Sequence, residues 1–334
     1  MNKKNWLYLI VASVITLGAF NSCKKSSDTD GVDNGPTEWE KVSGFDGAAR
    51  SGAASFQIDK IGYLVGGLSN NNNRVNDTWT FDGNSWSRIQ GADFPDARYA
   101  AVGFQIDGKG YVGTGTNGTD VFKDFYQYDP ATKKWTAIAP LPDNASARYG
   151  AIGFSLGGYG YVGLGADKDR TPYKDFYRYD PKTNTWTAIN SDLTDRMYNA
   201  FVFVKDGKAY IGGGNSLGGA ESYPKEFYIF DGTKWSRGAD LKDTDNTYDI
   251  TREGASTFVI GNYGYVVSGR KGSFLANVWK YDIAANSWDN KHQALPQNAR
   301  TGAVAFSIDG KGFITTGETS AGKLYDTWRF TQVR

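Results

Sequence analysis

Six arginines recur along the 334-residue chain at nearly one spacing. Arg50, Arg98, Arg148, Arg196, Arg252 and Arg300 lie 48, 50, 48, 56 and 48 residues apart by subtraction. A guanidinium is a planar fork of donors that can grip a carboxylate or phosphate with two bonds. Six of them gathered in one place would make an anion-binding mouth. Equally, each could brace a neighbouring loop through carbonyls or an aspartate, and six-fold repetition favours bracing because a ligand rarely needs six equal contacts. Tyr99, Tyr149 and Tyr198 stand near three of these arginines and could stack on a sugar. Acid/base work would need a carboxylate beside them. Glu253, next to Arg252, and Glu318 are the candidates, and no catalytic residue is assigned beyond them. Hydrolysis is not signalled, since there is no Gly-x-Ser-x-Gly elbow and a triad would rest on His292, the only histidine, expected to be exposed. A carboxylate pair stays open, because separation in space is not readable from spacing.

The elements that must position these residues are written six times. Arg148 opens the apolar run AIGFSL, a Gly turn leads to YGYVGLG, and a polar loop precedes KDFYRYDP and Trp186. Arg98 to Trp135 repeats the plan with FQIDGKGYVGTG and KDFYQYDPATKKW. The other copies keep the order: a run, a turn, a second run, a loop, an aromatic-Asp turn and a Trp. The segments alternate with period 2, as half-buried strands do, and lack the i, i+3, i+4, i+7 pattern of helices. Repeats of about 50 residues with several strands each predict a six-bladed β-propeller. The sixth copy stops at YDTWRF, short of its Trp. Residues 38–42 (EWEKV) carry an unpaired Trp39 and are expected to complete the last blade, closing the ring. The first strand of each copy should line the channel, with small residues such as Gly52-Ala53 and Gly150-Ala151 at the crowded axis. The loops between second and third strands (68–76, 116–123, 166–174, 215–225, 270–276, 318–324) differ from copy to copy, which is where specificity on a repeated scaffold resides.

From about Trp39 to Phe330 the chain resembles the kelch family. The resemblance rests on Gly66-Gly67 and Gly213-Gly214 after the second strand, half kept as Thr114-Gly115, Leu164-Gly165, Ser268-Gly269 and Thr316-Gly317. It rests also on Phe81-Asp82, Tyr128-Asp129, Tyr179-Asp180, Phe230-Asp231 and Tyr281-Asp282, with a Trp a few residues later. The last copy lacks the Asp. The resemblance implies anion contacts for the six arginines. It also brings to mind galactose oxidases, whose copper is held by histidines near a cysteine-tyrosine cross-link. With one histidine, and Cys23 outside the repeats, that chemistry has no ligands here, so no cofactor is expected. Zinc lacks ligands for the same reason. Calcium is left open at the acidic loop 238–251, which holds Asp240, Asp243, Asp245 and Asp249. Periplasmic sialic acid mutarotases, six-bladed and metal-independent, are the enzymatic precedent that the resemblance supplies.

Ahead of the repeats, residues 1–22 read as a signal peptide. Lys3 and Lys4 precede an apolar run from Trp6 to Phe20, short for a membrane span and suited to a signal core. Cys23, the only cysteine, follows at once and looks like a bacterial lipoprotein acylation site, although Asn21 and Phe20 are unusual there. Residues 23–37 read as a flexible tether and 38–334 as the propeller. The expectation is an envelope protein, lipid-anchored in the outer membrane and facing the periplasm or the cell surface, monomeric. It would act as a binding module for a glycan or protein partner, with carbohydrate mutarotation the alternative. Formal charge is +1 for the whole chain and −1 once Lys3 and Lys4 are removed. No basic patch argues for nucleic acid.

Overall fold

A computed structural model describes residues 37–216 and 222–332. The expected signal peptide, Cys23 and nearly all of the tether lie outside these residues. Six antiparallel sheets follow one another in chain order, five of four strands and the first of five, where the two-residue strand Arg50–Ser51 adds to the usual four. In blade three, for example, the strands run Ile152–Leu156, Tyr159–Gly163, Phe176–Asp180 and Thr185–Ile189. In the last blade the first three strands are Val304–Ile308, Lys311–Thr315 and Thr327–Gln332. Its outer strand is Thr37–Val42, in register from Thr37 opposite Gln332 to Val42 opposite Thr327.

The core lies between blades. Each innermost strand alternates buried and half-buried residues, as in Val102–Ile106 and Ile152–Leu156. Phe104 stacks on Tyr111 of its own blade at 5.3 Å and meets Gly160 of the next. A Cβ on Gly160 would stand 2.3 Å from the Phe104 ring, so only glycine lets the sheets approach this far. Gly110 relates to Phe56 in the same way, at 2.2 Å. The aspartates after the third strand cap tight turns. Asp231, for instance, accepts from the backbone N–H groups of Thr233 and Lys234.

The tryptophans stitch the ring. Trp135, Trp186, Trp235 and Trp288 each donate an indole N–H to a carbonyl of the preceding blade: Ala92, Ala139, Asn190 and Ala239, at 2.8 to 3.0 Å. Trp39 does the same to Gln293 at 2.9 Å and sets its ring 4.9 Å from that of Phe330. Because Trp39 is only half-buried, Trp39→Ala should cost about 2 kcal/mol, less than a fully buried Trp. The urea midpoint reads this directly, and an unchanged midpoint would show that the closing strand adds nothing to stability. His292 differs from expectation. It is half-buried, edge-on to Tyr265 at 5.5 Å and to Phe330 at 6.1 Å, because the loop after Trp288 folds in against the closing blade.

Candidate functional site

Five of the six arginines sit inside the wall. Arg50, Arg98, Arg148, Arg252 and Arg300 are 0 to 2% exposed. Four of them grip an aspartate at the start of the third strand with both terminal nitrogens: Asp77, Asp124, Asp175 and Asp326. Each of the five also donates to the carbonyl that ends the second strand, as Arg148 does to Leu164 at 3.0 Å. Their donors are spent on the fold, which is the bracing arrangement, and they do not line the mouth cavity. Arg196 departs further. It is exposed, beside Tyr173, Lys174 and Asn190 on the flank of blade three, and the buried Met197 occupies the slot that the other arginines fill. Glu226, at the aspartate position of blade four, turns instead to Arg237 at 3.6 Å. The aspartate partners escaped the sequence reading, although Asp77, Asp124, Asp175 and Asp326 follow their arginines by a constant 26 or 27 residues.

One residue further on, the chain reaches the mouth. Tyr99, Tyr149, Glu253 and Thr301 bridge to Thr116, Ala166, Arg270 and Glu318, Ser51 pairs with Leu68 and Tyr198 with Asn215. The next residues, Gly52, Ala100, Gly150, Asn199, Gly254 and Gly302, all adopt the left-handed conformation, with φ between 53° and 62°. Each N–H donates to the carbonyl of its counterpart one blade back. The bonds run from Ala100 to Gly52, Gly150 to Ala100, Asn199 to Gly150, Gly254 to Asn199 and Gly302 to Gly254, and Gly52 to Gly302 at 2.8 Å completes the circle. The six bonds, 2.7 to 3.0 Å, form an unbroken backbone collar around the axis. Six alanines, one per blade from Ala53 to Ala303, line the same narrow space.

On the loop side of the collar lies a cavity of about 580 Å³. Tyr99, Tyr149 and Tyr198, from three consecutive blades, line it together with Arg170, Arg270 and Glu253. The Tyr149 and Tyr198 rings meet edge to face at 6.2 Å, and the Arg74 guanidinium lies 5.9 Å from the Tyr99 ring centre. Burial, helped by Tyr198, pushes the Tyr149 hydroxyl up to about 12. Burial and the Glu253 carboxylate push Tyr198 up as well. Both hydroxyls therefore stay protonated and able to donate at neutral pH. Glu253 accepts a bond from Asn199 Nδ2 at 3.1 Å. Glu318, the other carboxylate candidate, lies across the mouth on a short hairpin. It accepts from Ser51 Oγ at 3.2 Å and does not line the tyrosine cavity.

Three carboxylates of the acidic loop already have partners. Asp240 pairs with Arg237 at 3.4 Å. Asp249 binds Lys271 Nζ at 2.6 Å and the Thr251 hydroxyl at 2.6 Å, and Asp243 accepts from Thr247. No group of three or more metal-ligating side chains occurs among the described residues. Beyond the collar a second axial cavity of about 490 Å³ is lined by the inner strands. Gln57 and Thr257 there bond across blades, to the carbonyls of Ser307 and Val202.

Six sheets closed around an axis, with tyrosines, arginines and a carboxylate at one mouth, define a propeller with a polar loop-side site. The chain belongs to the kelch-repeat family: the family model described as KLHDC2/KLHL20/DRC7 Kelch-repeats domain matches residues 18–214. It is 30% identical over 120 residues to Kelch-like protein 7 of Rattus norvegicus, covering 35% of this chain and 19% of that protein. It is 33% identical over 106 residues to N-acetylneuraminate epimerase of Escherichia coli (strain K12), covering 31% and 28%. These matches reach less than a third of the length of either curated relative. The solved structure of YjhT aligns with a TM-score of 0.71 at 18% identity, across 86% of this chain and 95% of that one, which bears on the fold.

Proposed function

We propose that this propeller binds an acidic carbohydrate in the mouth cavity, while held at the bacterial cell envelope through a lipid on Cys23. The observation that carries the reading is the convergence of Tyr99, Tyr149 and Tyr198 with Arg170 and Arg270 in one cavity. Tyrosine offers an apolar face for a sugar ring and a hydroxyl for its polar rim. Arginine supplies the match for a carboxylate. Of the six arginines that first suggested an anion site, five reduce to a scaffold and Arg196 lies on a flank, and the mouth cations come instead from the variable loops.

Glu253 favours a second, enzymatic reading. A carboxylate held by Asn199 beside the arginines could relay a proton between the anomeric hydroxyl and the ring oxygen of a bound sugar, opening and reclosing the ring. The N-acetylneuraminate epimerases among the relatives make this sugar the first to try.

Calorimetric titration with N-acetylneuraminate, galacturonate and neutral lactose tests the reading. Acidic sugars should bind and lactose should not, and Arg170→Ala should weaken binding about tenfold, the worth of one charge-assisted hydrogen bond. If no acidic sugar binds, the carbohydrate reading falls and a protein partner takes its place. For the enzymatic reading, NMR exchange between anomers should be lost in Glu253→Gln while binding persists.

A further inference from the structure

The mouth cavity does not end at the three tyrosines. A neighbouring cavity of about 480 Å³ runs outward between the loops of blades two and three, and shares Thr119, Val121 and Lys168 with it. Each volume falls within the about 300–1,000 Å³ typical of a small-molecule pocket, so the joined space exceeds the needs of one sugar ring. The outer part is lined by Asp120, Ser146, Asp167 and the half-buried Tyr173.

We infer that this outer cavity is a second sugar subsite, so that the ligand is an acidic sugar at the end of a longer glycan rather than a free monosaccharide. The inference rests on the binding reading of the mouth and not on ring opening, which needs a free anomeric hydroxyl. Its platform would be Tyr173. One side of that ring is already set against the Arg148 guanidinium, 4.8 Å away, and its hydroxyl donates to Asp167 at 3.3 Å. The backbone of Tyr173 is pinned from both sides, its N–H to Gly165 at 2.7 Å and its carbonyl to Met197 at 2.9 Å.

Both walls are formed in advance. In the blade-two loop, Asn117 Oδ1 accepts from the N–H groups of Thr119 and Asp120 at 2.8 and 2.7 Å, and the Thr116 hydroxyl holds the Asp120 carbonyl at 2.6 Å. In the blade-three loop, Asp167 Oδ1 accepts from Asp169 and Thr171 at 2.9 Å each. Walls already ordered spare a ligand the entropy of ordering them. The lining sets hydroxyls, carboxylates and one ammonium around a single ring, with Val121 and Ala147 beside them, a mixture that suits the polar rim and apolar face of a neighbour sugar.

The whole protein is titrated with N-acetylneuraminate, with the trisaccharide in which it is linked to lactose, and with lactose alone. The trisaccharide should bind about tenfold tighter than the monosaccharide, one good polar contact plus stacking. Tyr173→Ala should erase that gain and leave monosaccharide affinity unchanged. Because Tyr173 also packs on Arg148, Ser146→Trp provides a second variant: at an exposed position it fills the outer cavity from its far side and should erase the same gain. A trisaccharide no tighter than the monosaccharide, or a gain that survives both variants, overturns the second subsite while the mouth reading stands. Failure of both ligands to bind overturns the mouth reading itself.

Discussion

Asp326→Ala should lower stability by about 3–5 kcal/mol, the usual cost of removing one partner from a buried ion pair. Arg300 is fully buried, and Asp326 takes its two terminal nitrogens at 2.7 and 2.8 Å. Asp326 also accepts the indole N–H of Trp328 at 2.7 Å. The variant strands a buried charge and a buried donor together. An apolar pair, Arg300→Met with Asp326→Leu, should recover much of the loss, because it removes both charges at once. Burial works against ionising Asp326, but the bonds and charge of Arg300, with the Trp328 bond, outweigh it and hold the carboxyl below its usual value. The sign follows. A carboxyl depressed in the folded state contributes above its unfolded value of about 3.9 and loses that contribution as pH falls through the folded value. The gap between wild type and variant should therefore be full at pH 7 and narrow toward pH 3. Urea unfolding at both pH values measures it, and a loss below about 1 kcal/mol at pH 7 would refute the account.

Asn277→Asp should do the opposite and stabilise by about 2–3 kcal/mol, the scale of a charge-assisted bond plus a rescued buried donor. Blade five is the one where a buried arginine has an amide in place of a carboxylate. Arg252, 1% exposed, reaches Asn277 Oδ1 with a single nitrogen at 2.7 Å. Burial, only partly offset by Asp249, pulls its pKa down to about 10. Nearby, the indole N–H of Trp279 is buried with no partner, whereas its counterparts Trp79 and Trp328 each donate to the blade's aspartate. An amide has one oxygen for these donors and an aspartate has two. The new carboxyl should titrate below its ordinary value beside Arg252, so the gain should be present at pH 7 and fade below about pH 4. A thermal midpoint unchanged or lowered at pH 7 would refute it.

The repeat was legible because each blade must rebuild the same interface. Phe104 and Trp135 have counterparts wherever two sheets meet, and Gly110 has them everywhere but in blade four, where Ala209 stands, so the period of strands and turns follows from that demand. The register of the fourth copy was harder. Arg196 drew the eye, yet the alanine three residues after each scaffold position (Ala53, Ala101, Ala151, Ala255, Ala303) aligns Ala200 with Met197 instead. Met197 keeps the buried volume of the slot without its charge, and no propensity reveals that exchange. The mouth was half legible. Tyr99, Tyr149 and Glu253 follow scaffold arginines directly and could be placed from them, and Tyr198 follows Met197 in the same slot. Arg170, Arg270 and Tyr173 sit in loops that differ in length and sequence from blade to blade, so no repeat position predicts where their side chains go. His292 was misplaced because a loop residue that packs sideways on another blade carries no periodic signal.

The collar has a consequence for traffic along the axis. Every N–H and carbonyl of its six residues that bond around the circle is already engaged, and the wall beside it is alanine methyls. A carboxylate passing through would have to shed water and find nothing in exchange, at a cost of about several kcal/mol. For a charged ligand the propeller is therefore a cup with a narrow, hydrogen-bonded floor and not a tube. Whatever anion settles at the tyrosines must leave by the rim it entered, and its residence time is decided by the loops alone.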